Sequence, residues 1–298
     1  MTATLDRPTV AGRSLAGSRR PAREKIFKLL LQLSLVIALA FLAALLVYIV
    51  YKALPRLDPR LWQNMPSIRR PETAGAQSAI MGTLWVISLT ALICVPIGLM
   101  SAIYLEEYAD QTKWWNRLVE VNIQNLAAVP SIVYGILGLG VIARGLNIGI
   151  NVLSAALTLS LLVLPVVVIS SREAIRAVPN SIRFGSLALG ATQWQTIWKQ
   201  VLPAAIPGTA TGSILALSRA IGEAAPLLLL GAVSYIAFNP DGVLSQYTVL
   251  PVQIYSWITQ SRAEFESLAS AAIVILLLLL LIMNAFAIYL RNKFQKRW

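Results

Sequence analysis

The sequence predicts an all-α, polytopic membrane protein with six transmembrane helices, and three observations carry that prediction. Of its 298 residues, 57% are hydrophobic and only 13% charged, too apolar for the surface of an ordinary soluble domain. Several stretches hold about 20 largely apolar residues, the length at which a helix rising ~1.5 Å per residue crosses ~30 Å of hydrocarbon. The 25 Lys and Arg residues gather beside these stretches rather than along a solvated face, so topology accounts for the net charge of +12 and nucleic acid is not needed as a partner.

Taken in order, residues 1–28 form a basic tail rich in Ala, Arg, Ser and Pro without apolar periodicity, expected to be mostly disordered. The first span, 29–51, exceeds the ~7–15 apolar residues of a signal peptide. With the loop after it, it completes a segment 29–75. Further spans are expected at about 78–105, 125–143, 152–171, 206–238 and 268–290, within a core covering 76–290 and followed by a short tail, 291–298. In the third, Pro130 removes one backbone bond and predicts a kink, with Asn125 and Ser131 at hand to satisfy freed carbonyls. The spacing of Gly135, Gly138 and Gly140 points to close helix packing. Six consecutive leucines within 273–283 suit a sixth helix facing lipid.

Orientation follows from the basic residues, which cytoplasmic loops retain. Seventeen fall on the side of the two termini, including Lys113, Arg117, Arg172, Arg176, Arg183 and Lys199, against seven on the other side. Both termini are therefore expected in the cytoplasm of a bacterial cell, below its inner membrane. Arg219 belongs to neither side.

Enzyme chemistry finds few parts here. The chain has no histidine, which excludes His-based catalysis and His-ligated metal centres. Its one cysteine, Cys94, sits in an apolar run and reads as structural. No G-x-x-x-x-G-K-[ST] phosphate loop is present, so ATP hydrolysis by that route needs a separate subunit.

The loop between spans four and five, about 35 residues with regular apolar spacing, is expected to be helical itself. Trp194, Ile197, Trp198 and Val201 recur at i, i+3, i+4 and i+7 and share one face. Thr192 followed by Gln195 is a capping-box pattern, and Gly190 supplies a break before it. Leu202-Pro203 is expected to end this helix, because proline disfavours a helical residue before it. Two roles fit such an element: a helix lying on lipid, or one gripped by a partner.

Arg219 falls about fourteen residues into span five, near mid-depth, with Glu223 one turn on. Each ionisable group there costs roughly 2.5–3.5 kcal/mol unless it finds a partner or a wet cavity. Gly212, Ala216, Arg219, Glu223 and Pro226 make a stripe of small and polar groups expected to line the interior. Two readings stand: an ion pair that merely neutralises itself, or a guanidinium fork offered to a tetrahedral oxyanion, with Glu223 holding it or accepting a proton from the cargo.

The stretch 190–203, GATQWQTIWKQVLP, resembles the loop of ABC importer permeases written EAA, three residues, Gly, nine residues, Ile-x-Leu-Pro. Gly, Leu and Pro match in register, while Phe184-Gly185-Ser186 replaces the triplet and Gln200 the isoleucine. SRAIGEAAPLLLL, 218–230, resembles the fifth span of phosphate importer permeases; VPSIVYGILGLG, 129–140, a third-span segment of both their channel subunits; and LPVQIYSW, 250–257, the last periplasmic loop of the A-type subunit.

The resemblance implies a type I ABC importer permease fold whose cytoplasmic coupling helix docks on an ATPase, with Gly190, Trp194, Ile197, Trp198, Leu202 and Pro203 in that contact. It implies a homologous PstC permease subunit, two ATPase subunits that bind ATP and Mg, and a periplasmic phosphate-binding protein. No cofactor is expected in this chain. Arg219, Glu223 and, at the cytoplasmic end of span four, Arg172 are the candidates for the phosphate path. The rivals are a permease for sulfate, molybdate or phosphonate, an ion-coupled secondary transporter, and a membrane anchor that transports nothing.

Overall fold

The computed structural model describes residues 22–110, 112–232 and 235–294. The expectations for residues 1–21 and for Lys296 and Arg297 lie outside that range. Among the described residues there are only helices, turns and irregular segments. Five helices are long and apolar enough to span a bilayer, and a sixth span is a pair bent by 104°, so the expected six are present when the pair counts as one.

The chain divides into two units, Met1–Tyr48 and Ile49–Trp298. The first carries most of α1 (Ala22–Ala53), whose described side chains from 23 to 48 are all exposed, the state of a helix meant for lipid. The helix begins inside the stretch expected to be disordered. Ala22, Glu24 and Lys25 favour helix, and Glu24 sits in the first turn, where a negative charge complements the exposed amide groups.

In the second unit a single turn, α2 (Arg60–Gln63), precedes α3 (Gln77–Ile103), which continues as a wider i→i+5 turn, Tyr104–Tyr108. Then come α4 (Trp114–Ala127), α5 (Ser131–Leu137) with a second wide turn Gly138–Gly145, and α6 (Val152–Arg176). The 180–201 segment comprises α7 (Asn180–Ala188), α8 (Gln193–Thr196) and a third wide turn, Ile197–Val201. The chain closes with α9 (Leu202–Ile221), α10 (Ala225–Leu230), α11 (Leu250–Ile258) and α12 (Ala263–Phe294).

The bundle is organised around α6, which packs along α3, α9 and α4, while α12 packs on α9. Small residues let the helices approach: a Cβ added at Gly208 of α9 would stand 2.8 Å from that of Ala174. Hydroxyls in the apolar helices bond back to the carbonyl four residues earlier, as Thr83, Thr90 and Thr158 do at 2.7 Å. The start of α6 is fixed by a capping box between Asn151 and Ser154, and by bonds from the Val152 and Leu153 amides to the Ser245 and Val243 carbonyls.

The glycine pattern of α5 was meaningful at two of its three positions. Gly135 lies against Pro226 and Gly138 against Thr158, while Gly140 faces open space. The leucine run of α12 is half-buried along one side and exposed at Leu278, Leu281 and Ile282. Residues 250–257, expected as a loop, are helical, with Leu250, Val252 and Trp257 in the core. Pro251 at the first turn favours that helix, because its missing amide hydrogen costs nothing there.

Three expectations need correction. Span five is not one helix over 206–238: α9 stops at Ile221, residues 222–224 are irregular, and α10 restarts at Ala225. Pro226 cannot donate to the Gly222 carbonyl and its ring would collide with it, so the helix breaks between them. Pro203 does not end the helix that starts at Gln193, which runs unbroken over Gln193–Ile221. The wide turn before it closes with the Leu202 amide on the Ile197 carbonyl, and this change of register is where the proline's missing donor is accommodated. Finally, the kink at Pro130 is a sharp elbow, with α4 reaching back to Trp114 rather than starting near Asn125.

Candidate functional site

α6 serves as a ruler for depth. It has 25 residues, about 37 Å at 1.5 Å each, and Val163 lies about 16 Å from its start. Leu162, Val163 and Val166 line a small cleft together with Leu126, Ser131, Tyr134, Ala216 and Arg219. Arg219 therefore stands level with the middle of α6. The elbow between α4 and α5 opens on this cleft, and the break between α9 and α10 follows Arg219 directly. Two interrupted helices thus meet at the level where a charge is hardest to keep.

The interruptions explain one another. Gly135 is pressed on Pro226, with a Cβ there only 2.7 Å from the proline Cα, so the second halves of both broken helices pack as a pair. Across the elbow the Tyr134 hydroxyl donates to the Leu126 carbonyl at 2.8 Å, beside the Val129 amide that bonds the same oxygen at 3.2 Å. On α9 the Ser218 hydroxyl bonds the Asn284 side chain of α12 at 3.0 Å.

Arg219 Nε lies 3.5 Å from Glu223 Oε1, so the expected pair forms, but the arginine side chain remains 62% exposed and the glutamate 19%. Glu223 reaches it from the irregular segment and not from the helix face predicted for it. A guanidinium open at that depth faces water or another polar surface, because lipid would not tolerate it. Arg219 and Ser131 in the same cleft offer donors to an anion and leave one carboxylate beside them, while the Tyr134 hydroxyl is given to the Leu126 carbonyl.

Arg172 is not part of this cleft. It is buried near the far end of α6, about 30 Å along the ruler. Its Nε donates to Glu106 at 2.7 Å and its Nη2 to Glu120 at 3.0 Å. Glu106, 8% exposed, also receives Arg176 at 2.8 Å. The next residue, Glu107, takes Arg183 at 2.8 Å, and Arg183 further bonds the Ile175 and Val178 carbonyls. Through these bonds Arg172 braces α6 against the 104–108 turn and α4, and it also lines a separate polar cavity of about 200 Å³ with Asn116, Arg117 and Glu120. Sequence reading missed Glu106, Glu107 and Glu120; the signal was a pair of adjacent carboxylates in a chain with only 13 acidic residues.

The 180–201 segment adjoins this network. Gly190 turns the chain with φ +84, a conformation that suits glycine, and the Thr192–Gln195 box caps α8 with both reciprocal bonds, 3.3 and 3.0 Å. Gln193 donates to the Glu107 carbonyl at 2.6 Å and Thr196 to the Ser186 hydroxyl at 2.9 Å.

The single apolar face predicted for this segment proves to be two. Ile197 and Val201 point inward, the latter among Ala102, Ile175, Val178 and Ala205, and Leu202 is also buried. Trp194 and Trp198 point out, 60% and 47% exposed, with ring centroids 5.1 Å apart. The wide turn begins at Ile197 and shifts the register, so residues at a regular i, i+3, i+4 spacing fall on different sides. Phe184, Leu187 and Leu189 are exposed as well, giving an apolar surface around the tryptophans.

The profile of a family described as binding-protein-dependent transport system inner membrane component matches residues 94–296. The phosphate transport system permease protein PstA of Mycobacterium leprae is 34% identical over 263 residues, covering 86% of this chain and 84% of that one. PstA 1 of Mycobacterium tuberculosis H37Rv is 38% identical over 185 residues, 62% of this chain, and the match spans 59% of that relative's length. PstA of Haemophilus influenzae is 29% identical over 269 residues, 90% of this chain and 93% of that one. Among solved structures, a chain of a bacterial alginate ABC transporter, crystallised with an alginate-bound periplasmic protein, superposes with a TM-score of 0.62 over 92% of this chain and 96% of its own at 17% identity. That likeness concerns the fold.

Proposed function

Because this chain belongs to the family of binding-protein-dependent transport system inner membrane components, we propose that it forms half of the channel of an ATP-driven importer for inorganic phosphate. It is a multi-pass membrane protein, and the observation that carries the cargo reading is Arg219, exposed at mid-depth where two broken helices meet. Transport sites of that build place ionisable groups where unwound backbone can line water. Relatives named as phosphate permeases support the choice among oxyanions.

In this reading both termini and the 180–201 segment face the cytoplasm, in keeping with the basic residues counted there. Phosphate arrives from a periplasmic binding protein, and a homologous PstC-type subunit supplies the other half of the path. Two ATPase subunits grip the Trp194 and Trp198 surface, bind ATP and Mg, and drive the shared path to face outward. The chain itself breaks no bond. Arg219 holds the anion transiently; the neighbouring Glu223 carboxylate weakens that hold and so favours release.

The test is phosphate uptake by vesicles carrying the assembled transporter with its binding protein. Arg219→Ala should abolish uptake while assembly and nucleotide binding persist. Uptake that survives this change, or that proceeds without nucleotide, would refute the proposal. Sulfate or molybdate delivered in place of phosphate separates the nearest alternatives.

A further inference from the structure

α4 is tied to the bundle lightly. Most of its side chains are exposed, including Trp114, Trp115, Leu118 and Val121, and only Asn116 is buried. Among the described residues its side chains make two polar links to other elements: Asn116 to the Asp110 carbonyl at its own start, and Glu120 to Arg172 of α6. Its far end carries the elbow, where Leu126 and Ala127 form a wall of the Arg219 cleft.

The two carboxylates that share Arg172 differ in kind. Glu106 is buried and bonded to two arginines, so parting it from them leaves charge stranded away from water. Glu120 is 36% exposed and holds one bond, and pairs open to water exchange readily. Arg172 also has a route to the partner-facing segment. Glu106 is adjacent to Glu107, whose side chain holds Arg183 of the 180–201 segment and whose carbonyl receives Gln193 of α8. Hydrogen bonds thus connect α8 to the 104–108 turn, and that turn to Arg172.

We propose that Glu120 is a positioning residue: with Arg172 it latches α4 against α6, and release of the latch lets α4 pivot at residues 128–130 and uncover the Arg219 cleft. The bond from the Tyr134 hydroxyl to the Leu126 carbonyl spans that hinge, so it parts in the same movement. The functional consequence rests on reading that cleft as the transport path.

The test uses the assembled transporter in vesicles, on a Cys94→Ala background. Ser131→Cys reports access to the cleft through its rate of modification by a membrane-impermeant maleimide applied from the side of the 180–201 segment. Adding Glu120→Gln should raise that rate about threefold or more, the scale of losing one half-exposed pair. In a second protein, Glu120→Cys with Arg172→Cys is bridged by a cleavable bifunctional thiol reagent. Uptake should fall at least about tenfold and return on cleavage. Unchanged labelling with Glu120→Gln, or full uptake while bridged, overturns the latch. Raised labelling in a transporter whose uptake survives Arg219→Ala upholds the latch and overturns the path.

Discussion

Gly135 and Pro226 are in van der Waals contact, so close that a methyl group on the glycine would stand 2.7 Å from the proline Cα and 2.8 Å from its carbonyl oxygen. Each belongs to the second half of an interrupted helix, and each half restarts just beyond the level of Arg219. The proline breaks one helix and the glycine lets the other half come to rest on the break. Their contact holds α5 against α10.

Gly135→Val should therefore push α5 off α10. Backbone atoms cannot yield as a flexible side chain would, and overpacking of this kind costs typically 1–3 kcal/mol. The purified transporter should unfold at a lower temperature and take up phosphate more slowly, whereas Gly140→Ala, with open space around it, should leave both unchanged.

At Arg219 the shape of the cation matters as well as its charge. Lysine keeps the charge but loses the planar fork, so Arg219→Lys should retain a fraction of uptake where Arg219→Ala retains none. A phosphate concentration series would show the deficit mainly as a lower maximal rate. Equal activity of the lysine variant and the original would mean that the fork is not used.

The tryptophans and Ile197 should separate cleanly. Trp194→Ala with Trp198→Ala removes exposed rings, so the permease should keep its thermal stability and lose its hold on the ATPase subunits in a pull-down. Ile197→Ala empties a buried site, 1% exposed, and should cost about 2–5 kcal/mol in stability. Stability loss from the tryptophan changes would place those rings in the core instead.

Glu106→Gln leaves Arg172 buried with only Glu120, and Arg176 without its carboxylate. Breaking a buried pair from one side costs on the order of 3–5 kcal/mol, part of it recovered here because Arg176 is open to water. Glu120→Gln should cost less than about 1 kcal/mol, since that carboxylate is half-exposed. Denaturation of the two variants side by side checks the order; equal losses would remove the distinction on which the latch depends.

Much of the fold was legible because hydrophobic length is a local property: a run of apolar residues must span lipid whatever surrounds it, and 152–171 fell within α6 for that reason. The Thr192–Gln195 cap was legible on the same ground, being settled by four consecutive residues. Arg219 stood out because a charge amid apolar residues has no bland place to go. The interruption at residues 222–224 carried its signal in Gly222 and Pro226, yet hydropathy averaged across it. The setting of Arg172 was not legible, because an arginine beside a span looks the same whether it is solvated or clasped by carboxylates 52 and 66 residues away.

By itself, then, the sequence determined that this chain is a multi-pass membrane protein, where its apolar runs lie, and which charge falls among them, since each follows from composition over one turn or one span. The tertiary structure decided which cation is open and which is braced, which half of the tryptophan helix is exposed, and that two broken helices meet at one level. Those outcomes depend on hydrogen bonds and contacts between segments remote in the chain, and on wide turns that shift side-chain register, neither of which any local pattern encodes.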